Sequence, residues 1–316
     1  MASANSTFTE MVTTTLREHP NVISDNVSDH NALYRRLKSK GKIKKLDGGY
    51  EIVRPLDYAE NATFQRYSGY DTLNISASDV LSAAKYSWVQ SAVNVVASGL
   101  ELRQNSGKNQ IIDLAAARVK NAMRTASNNM SVDLYSSGAL TNQMGGLGHL
   151  ITTDGTGTVG GIVAGTYTFW KNKFVEQGTP GKTTIKADMN TIWLSLVRGT
   201  DKPDLVVSTH DNYAYYEESL QDLQRYTSAD EGVAGFQSLK YKTADVIFDS
   251  NDNFSTTGEK MYFLNTEYLE LCVHKDANWS QLDDKMSVNQ DAVVIPIIWQ
   301  GQLTCSNRSL QGVVFD

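Results

Sequence analysis

Cysteine is nearly absent from this 316-residue chain: Cys272 and Cys305 are the two present, with no CxxC pair. That spacing excludes a disulfide framework and a zinc ribbon, and it points to a reducing compartment. There are five prolines, no internal repeat and no low-complexity tract. No apolar run approaches the ~20 residues that a membrane span needs. The N-terminus, MASANSTFTEMVTTTLREHP, lacks the basic-then-apolar pattern of a secretory signal. Positive charge is also short overall, with a net of −6, which excludes a uniformly basic nucleic-acid binder.

Catalytic constellations are missing too. The histidines, at 19, 30, 149, 210 and 274, are scattered, with no HExxH or paired-ligand spacing. No GxSxG elbow occurs. Gly155–Gly160 matches GxGxxG, but a dinucleotide fingerprint must open a helix, and the β-branched, Gly-broken GIVAGTYTF follows. Gly181-Lys182-Thr183 resembles the end of a Walker loop, but Glu176 stands where its first glycine belongs. A carboxylate there repels phosphate, and Pro180 removes an amide. Asp249–Asn253 resembles a calcium loop, but Phe254 replaces the glycine at its sixth position and no Glu closes it. Asp211 reads as a helix cap. Cys272 and Cys305 read as core residues in strands. No catalytic residue, cofactor or metal ligand is assigned, and the chain is not expected to be an enzyme. An enzyme built on His210 or Asp211 would lack a nucleophile–base pair.

What is present is a good core composition, 41% hydrophobic and 20% charged, sufficient for one large domain or two lobes. Charge is uneven. Residues 31–45 hold Arg35, Arg36, Lys38, Lys40, Lys42, Lys44 and Lys45 and no acid, so the rest of the chain carries −13. Such a block is either a solvated helix face or a nucleic-acid contact.

The chain divides into segments by periodicity. Residues 1–46 form an arm with short amphipathic helices at 7–18 and 30–40, the second starting at Asp29 or His30 and ending at Gly41. Neither stands alone in water, so each needs a surface, which another molecule could supply. YEIVRP (50–55) reads as a strand stopped by Pro55, and 79–98 as an extended return strand. Together 48–99 form a two-stranded excursion with a wide polar-aromatic tip. The strongest helix is 109–137, with Ile112, Ala115, Val119, Ala122, Met123, Ala126 and Met130 on one face and Lys120 and Arg124 on the other. Residues 138–166 are Gly- and Thr-rich loop. Helices at 186–198 and 210–226 then alternate with strands at 204–208, 241–250, 260–274 and 292–305, and 186–290 reads as a compact α+β lobe.

That order of parts resembles the major capsid protein of tailed bacteriophages, the Hong Kong 97-type fold. The resemblance runs over the whole chain, and several stretches carry it: Gly48-Gly49 with Tyr50–Pro55, the Trp88 strand before Ser98-Gly99, the helix entry at Asn105–Asn109, and Trp299-x-Gly301-x-Leu303-x-x-x-Asn307-Arg308-x-x-Gln311-Gly312-Val313. It implies an α+β capsid fold with four parts. These are an N-terminal arm (1–47), an extended β-hairpin loop (48–99), a peripheral domain (100–185 and 291–316, with spine helix 107–137) and an axial domain (186–290).

By the same resemblance, pentamers and hexamers close an icosahedral shell around double-stranded DNA, with a portal and decoration protein as partners and no membrane. The location is the virion, assembled in the bacterial cytoplasm. The short arm implies a separate scaffolding protein or none. Residues 56–84 contain no lysine, so no isopeptide crosslink from the loop tip is expected. Tyr58, Phe64, Arg66, Tyr67 and Tyr70 are the expected intersubunit anchors. Arg35, Arg36, Lys38, Lys120 and Arg124 are the expected lumen-facing charges. Asn307 and Arg308 are expected to turn the terminal strands, with Asn307 left-handed, Arg308 reaching a carboxylate or a neighbour, and the last strand returning to the peripheral domain. The rival readings are an encapsulin-like compartment and a tail-tube subunit.

Overall fold

The computed structural model describes residues 31–76, 78–104, 114–221, 239–249, 258–282, 285–286 and 291–316. The expected helix at 7–18 and the helix entry at Asn105–Asn109 lie outside them, as do Asp29 and His30.

The first described helix, α1 (Ala32–Ser39), is capped by Asn31, whose side chain accepts the Tyr34 amide, rather than by Asp29 or His30. Ala32, Leu33 and Leu37 are buried at helical spacing. They pack in the same core as Met130, Leu134, Leu205 and Ile247, so the surface α1 needed is its own chain's. Gly41, at φ +65°, turns the chain into β1 (Ile43–Leu46).

β2 (Glu51–Asp57) and β3 (Leu81–Ser87) form an antiparallel ribbon, with Glu51 opposite Ser87 and Asp57 opposite Leu81. Pro55 does not stop β2, contrary to expectation: a two-stranded ribbon has open edges, where a missing N–H removes no ladder bond. The excursion is also shorter than expected. β4 (Val89–Ser98) leaves the ribbon after Trp88, whose indole donates to the Gly49 carbonyl at 2.9 Å.

Gly99 opens α2 (Gly99–Gln104), and a Cβ there would collide with the Asp291 carboxylate. The long helix α3 (Leu114–Tyr135) buries Ala122, Ala126, Met130 and Leu134 at four-residue steps. Met123, expected in the core, is 39% exposed, one position off that stripe.

A short helix, α4 (Leu147–Leu150), and a tight hairpin, β5 (Thr158–Val159) with β6 (Ile162–Val163), organise the Gly-rich stretch. The GxGxxG glycines serve that hairpin: Gly155, Gly157 and Gly160 all have positive φ, and a strand follows rather than a helix.

The lobe then builds β7 (Lys173–Glu176), α5 (Ile185–Leu196), β8 (Leu205–Ser208), α6 (His210–Gln221), β9 (Leu239–Tyr241), β10 (Ala244–Phe248) and β11 (Lys260–Leu264). Asp211 lies in the first turn of α6, and the Thr209 carbonyl accepts the Tyr213 amide. The expected strand 241–250 is a hairpin, because Lys242 takes φ 53° between β9 and β10. The chain closes with β12 (Leu269–Gln281), β13 (Lys285–Met286), β14 (Ala292–Cys305) and β15 (Gly312–Phe315).

Two sheets result. One runs β1-β12-β14-β13, with β4 also paired to β14 from Ala292–Ser98 to Gly301–Val89. The other runs β7-β15-β11-β8-β10-β9. Pairing thus departs from the expected grouping twice. β12 belongs with β14 rather than with the lobe strands, and β15 lies inside the lobe sheet, between β7 and β11. The lobe sheet is buried on both faces. Leu205, Val207, Tyr262, Leu264 and Val313 face the main core. Val206, Met261, Phe263 and Val314 face α5 and α6 with Ile192, Trp193 and Tyr216. Each such side chain contributes about 1.5–3 kcal/mol when fully buried.

Candidate functional site

In the ribbon's tip, residues 58–80, the described residues form no helix or strand. Its side chains bond its own backbone instead: Asp71 accepts the Ser68 amide at 2.8 Å and Gln65 donates to the Thr72 carbonyl at 2.9 Å. This shapes a platform on which Phe64 is 79% exposed, Tyr67 64%, Tyr70 106% and Ile75 94%. Arg66 sits over the Phe64 ring at 6.0 Å. Tyr58, grouped with these by sequence, is the tip residue next to β2 and instead stacks on Phe169 of its own chain at 5.3 Å.

The ribbon's foot is held by polar contacts that the sequence did not announce. Arg54 on β2 pairs with Glu270 on β12 and donates to Thr304 on β14 at 3.2 Å. Glu270 also takes Lys44 from β1 at 2.7 Å. Tyr86 on β3 donates to the Cys305 carbonyl at 2.7 Å. Only the ion-pairing residue types were visible beforehand; the pairs join residues more than two hundred positions apart.

The basic block is largely answered within the chain. Arg36 pairs with Asp245, Lys40 with Asp204 and Lys44 with Glu270. Burial alone would raise the Asp204 carboxyl, but bonds from Lys40 and Thr266 outweigh it and hold the pKa below the usual carboxylate range. The acids missing from residues 31–45 are thus supplied by the lobe and β12. Arg36, one of the expected lumen charges, is engaged there by Asp245. Arg35 and Lys38 instead line a groove between α1 and α3. Lys120 is exposed on α3, and Arg124 is half-buried one turn further on.

Arg308 is placed otherwise than expected. It is fully buried within its own chain. Its Nε donates to the Leu150 carbonyl at 2.6 Å, Nη2 to Thr156 O at 2.8 Å and Thr152 Oγ1 at 2.9 Å, and Nη1 to Trp170 O at 3.5 Å. Burial lowers its pKa. Backbone carbonyls replace the expected carboxylate because the loop wraps around the guanidinium. Asn307 is extended, at φ −142°, not left-handed. Cys272 and Cys305 are buried and unpaired, and burial pushes the Cys305 thiol up to about 12.

Among the described residues, no cluster of three or more metal-ligating side chains forms and no helix is long and apolar enough to cross a membrane. No family model and no curated protein matches the chain. Solved structures do. The capsid of cyanophage A-1(L) superposes with a TM-score of 0.62 at 15% identity, covering 95% of this chain and 99% of that one. The capsid of Myoviridae phage XM1 gives 0.58 at 11%, covering 93% and 94%. The SrpI encapsulin of Synechococcus elongatus PCC 7942 gives 0.58 at 8%, covering 95% and 94%.

The fold is the Hong Kong 97-type capsid fold.

In a capsid fold, a half-exposed ion pair missed by sequence reading gains a clear structural place. Arg118 on α3 pairs with Glu101 on α2 at 2.8 Å. Hydrogen bonds from Arg118 and from the Ser98 amide hold Glu101 below the usual carboxylate range. The pair ties the end of β4 to the long helix. Its partners stand 17 positions apart in the chain, so no three- or four-residue helical spacing advertised it.

Proposed function

We propose that this chain is the major capsid protein of a tailed phage, and that its copies form the pentamers and hexamers of an icosahedral shell around packaged double-stranded DNA. The observation that carries this reading is the ribbon tip, with Phe64, Tyr67, Tyr70 and Ile75 uncovered by their own chain. Apolar surface of this kind marks an interaction site, and aromatic side chains suit the core of an interface. On this reading, the β2–β3 ribbon and its tip, 51–87, are the extended loop lying over an adjacent subunit, α3 the spine of the peripheral domain, and the β7–β11 lobe the axial domain. The protein resides in the virion, and its role is structural rather than enzymatic.

Negative-stain microscopy of the purified chain tests the proposal. Closed polyhedra support it, tubes favour a tail-tube subunit, and discrete monomers with turnover favour an enzyme. The likeness to an encapsulin motivates a second reading, a compartment filled with protein rather than DNA. Nuclease-protected DNA inside particles from infected cells separates the two.

Substituting Phe64, Tyr67 and Tyr70 together by Ser is expected to abolish particle formation. Subunit melting should change little, because these rings are mostly exposed in their own chain. A melting loss comparable to a core substitution would contradict the assignment. Arg35, Lys38, Lys120 and Arg124 are proposed to face the lumen. Reversing Lys120 and Arg124 to Glu should change packaged genome length, read by gel analysis of DNA from purified particles; unchanged DNA would remove them from the lumen.

A further inference from the structure

We propose that the groove between α1 and α3 is the docking site of the chain's own N-terminal segment, Phe8–Leu16. The groove has a cavity volume of about 380 Å3, walled by Tyr34, Arg35 and Lys38 on one side and by Met123 and Met130 on the other, with Trp279 at its end. Three features mark it as built to be filled. Met123 is 39% exposed beside a stripe of α3 that is otherwise buried. Two methionines give an apolar wall that adapts to its occupant. Trp279 adopts φ 53°, a conformation that bulky residues avoid. It does so where the β12–β14 register shifts between Asn278 and Ser280. Such irregularities re-aim side chains, and here the ring stacks on Trp299 at 6.0 Å while lining the groove.

The occupant follows from where the chain runs. Asn31, the first described residue, itself lines the groove, so the N-terminal segment is tethered at the groove itself. Phe8, Met11, Val12 and Leu16 recur at steps of three and four, an amphipathic helical pattern. Residues 1–30 carry Glu10, Glu18, Asp25 and Asp29 against Arg17, which complements Arg35 and Lys38 on the wall. The tether from Leu16 to Asn31 spans up to roughly 45–50 Å at about 3.3 Å per residue, ample for a return. A tether also keeps the segment at an effective concentration on the order of millimolar, which favours the chain's own segment over a second copy's. The inference does not rest on the shell reading and is read on single subunits.

The test uses the full chain carrying Leu16→Cys and Met123→Cys, with a short bismaleimide. Cys272 and Cys305 are buried and do not compete. The expected product is an intrachain crosslink at monomer mass, its yield falling several-fold when Arg35 and Lys38 are both changed to Glu. Interchain dimers alone would show that a second copy fills the groove and overturn the proposal; no crosslink of either kind would overturn it as well. Hydrogen exchange on the unsubstituted chain gives an independent reading. Residues 8–16 should exchange several-fold more slowly than residues 1–5, and equal rates would refute docking.

Discussion

Replacing Arg308 by Met is expected to destabilise the subunit by on the order of 3 kcal/mol, since each buried acceptor left without a donor costs about 1–3 kcal/mol. The side chain serves the Leu150, Thr156 and Trp170 carbonyls and the Thr152 hydroxyl at once. Methionine fills much the same volume but donates nothing, so these acceptors lose their donor together. The loss is partly offset because a buried cation is removed, and burying that cation is itself unfavourable. Arg308→Lys tests geometry against charge. It keeps the cation, but a single ammonium cannot span acceptors arranged around a planar fork, so it should recover less than half of the loss. Urea unfolding of the soluble subunit measures both. A shift within about 0.5 kcal/mol, the range of an ordinary surface substitution, would mean that the guanidinium does not organise the 150–170 loop.

The case of Arg308 shows where sequence reading works and where it stops. Order and type of elements follow from local pattern: α5, β8 and β14 lie where periodicity puts them, because their apolar spacing is strong and their ends carry turn residues. Partners are a different matter. Nothing local in KKL (44–46) says that β1 will lie parallel to β12, or that Asp204, Asp245 and Glu270 will answer the basic block. Pro55 misled because the rule that proline ends a strand assumes neighbours on both sides, and the ribbon has only one ladder. Met123 misled because the buried stripe of α3 is narrow, and one residue off it is enough to face outward. The tip aromatics were legible as candidates from their density alone, yet only the structure shows that Tyr58 is used inside the chain while Phe64, Tyr67 and Tyr70 are not. Arg308, lying between two apolar strands, reads as a turn residue until its four acceptors, all from residues 150–170, are seen around it.

Deleting Leu310–Asp316 is expected to leave no folded subunit, and therefore no particles. The final strand is not a tail laid on a finished domain. β15 pairs in parallel with β7, from Gly312–Lys173 to Phe315–Glu176, and antiparallel with β11, from Lys260–Phe315 to Phe263–Gly312. Removing it cuts β7 from the sheet and opens β11 along its length. Val313 and Val314 are fully buried on opposite faces, one in the main core and the other against α5 and α6, so both cores lose packing at once. Gln311 goes too, and with it a buried amide pair in which Gln311 accepts the Asn265 amide at 2.9 Å and donates to the Asn265 carbonyl at 3.1 Å. Two buried valines and a leucine amount to roughly 5–8 kcal/mol of transfer free energy, before unpaired strand edges are counted. A domain's whole margin is only about 5–15 kcal/mol. The truncated chain should appear in the insoluble fraction, or lack the far-ultraviolet signal of a mixed α+β protein. Val314→Ala is the graded control: it keeps the strand's backbone and should cost about 2 kcal/mol, lowering the melting temperature without abolishing the fold. If the truncated chain were soluble, folded and able to form normal particles, β15 would be dispensable, and the stability of the lobe would have to come from the contacts among β8, β10, β11 and the two helices alone.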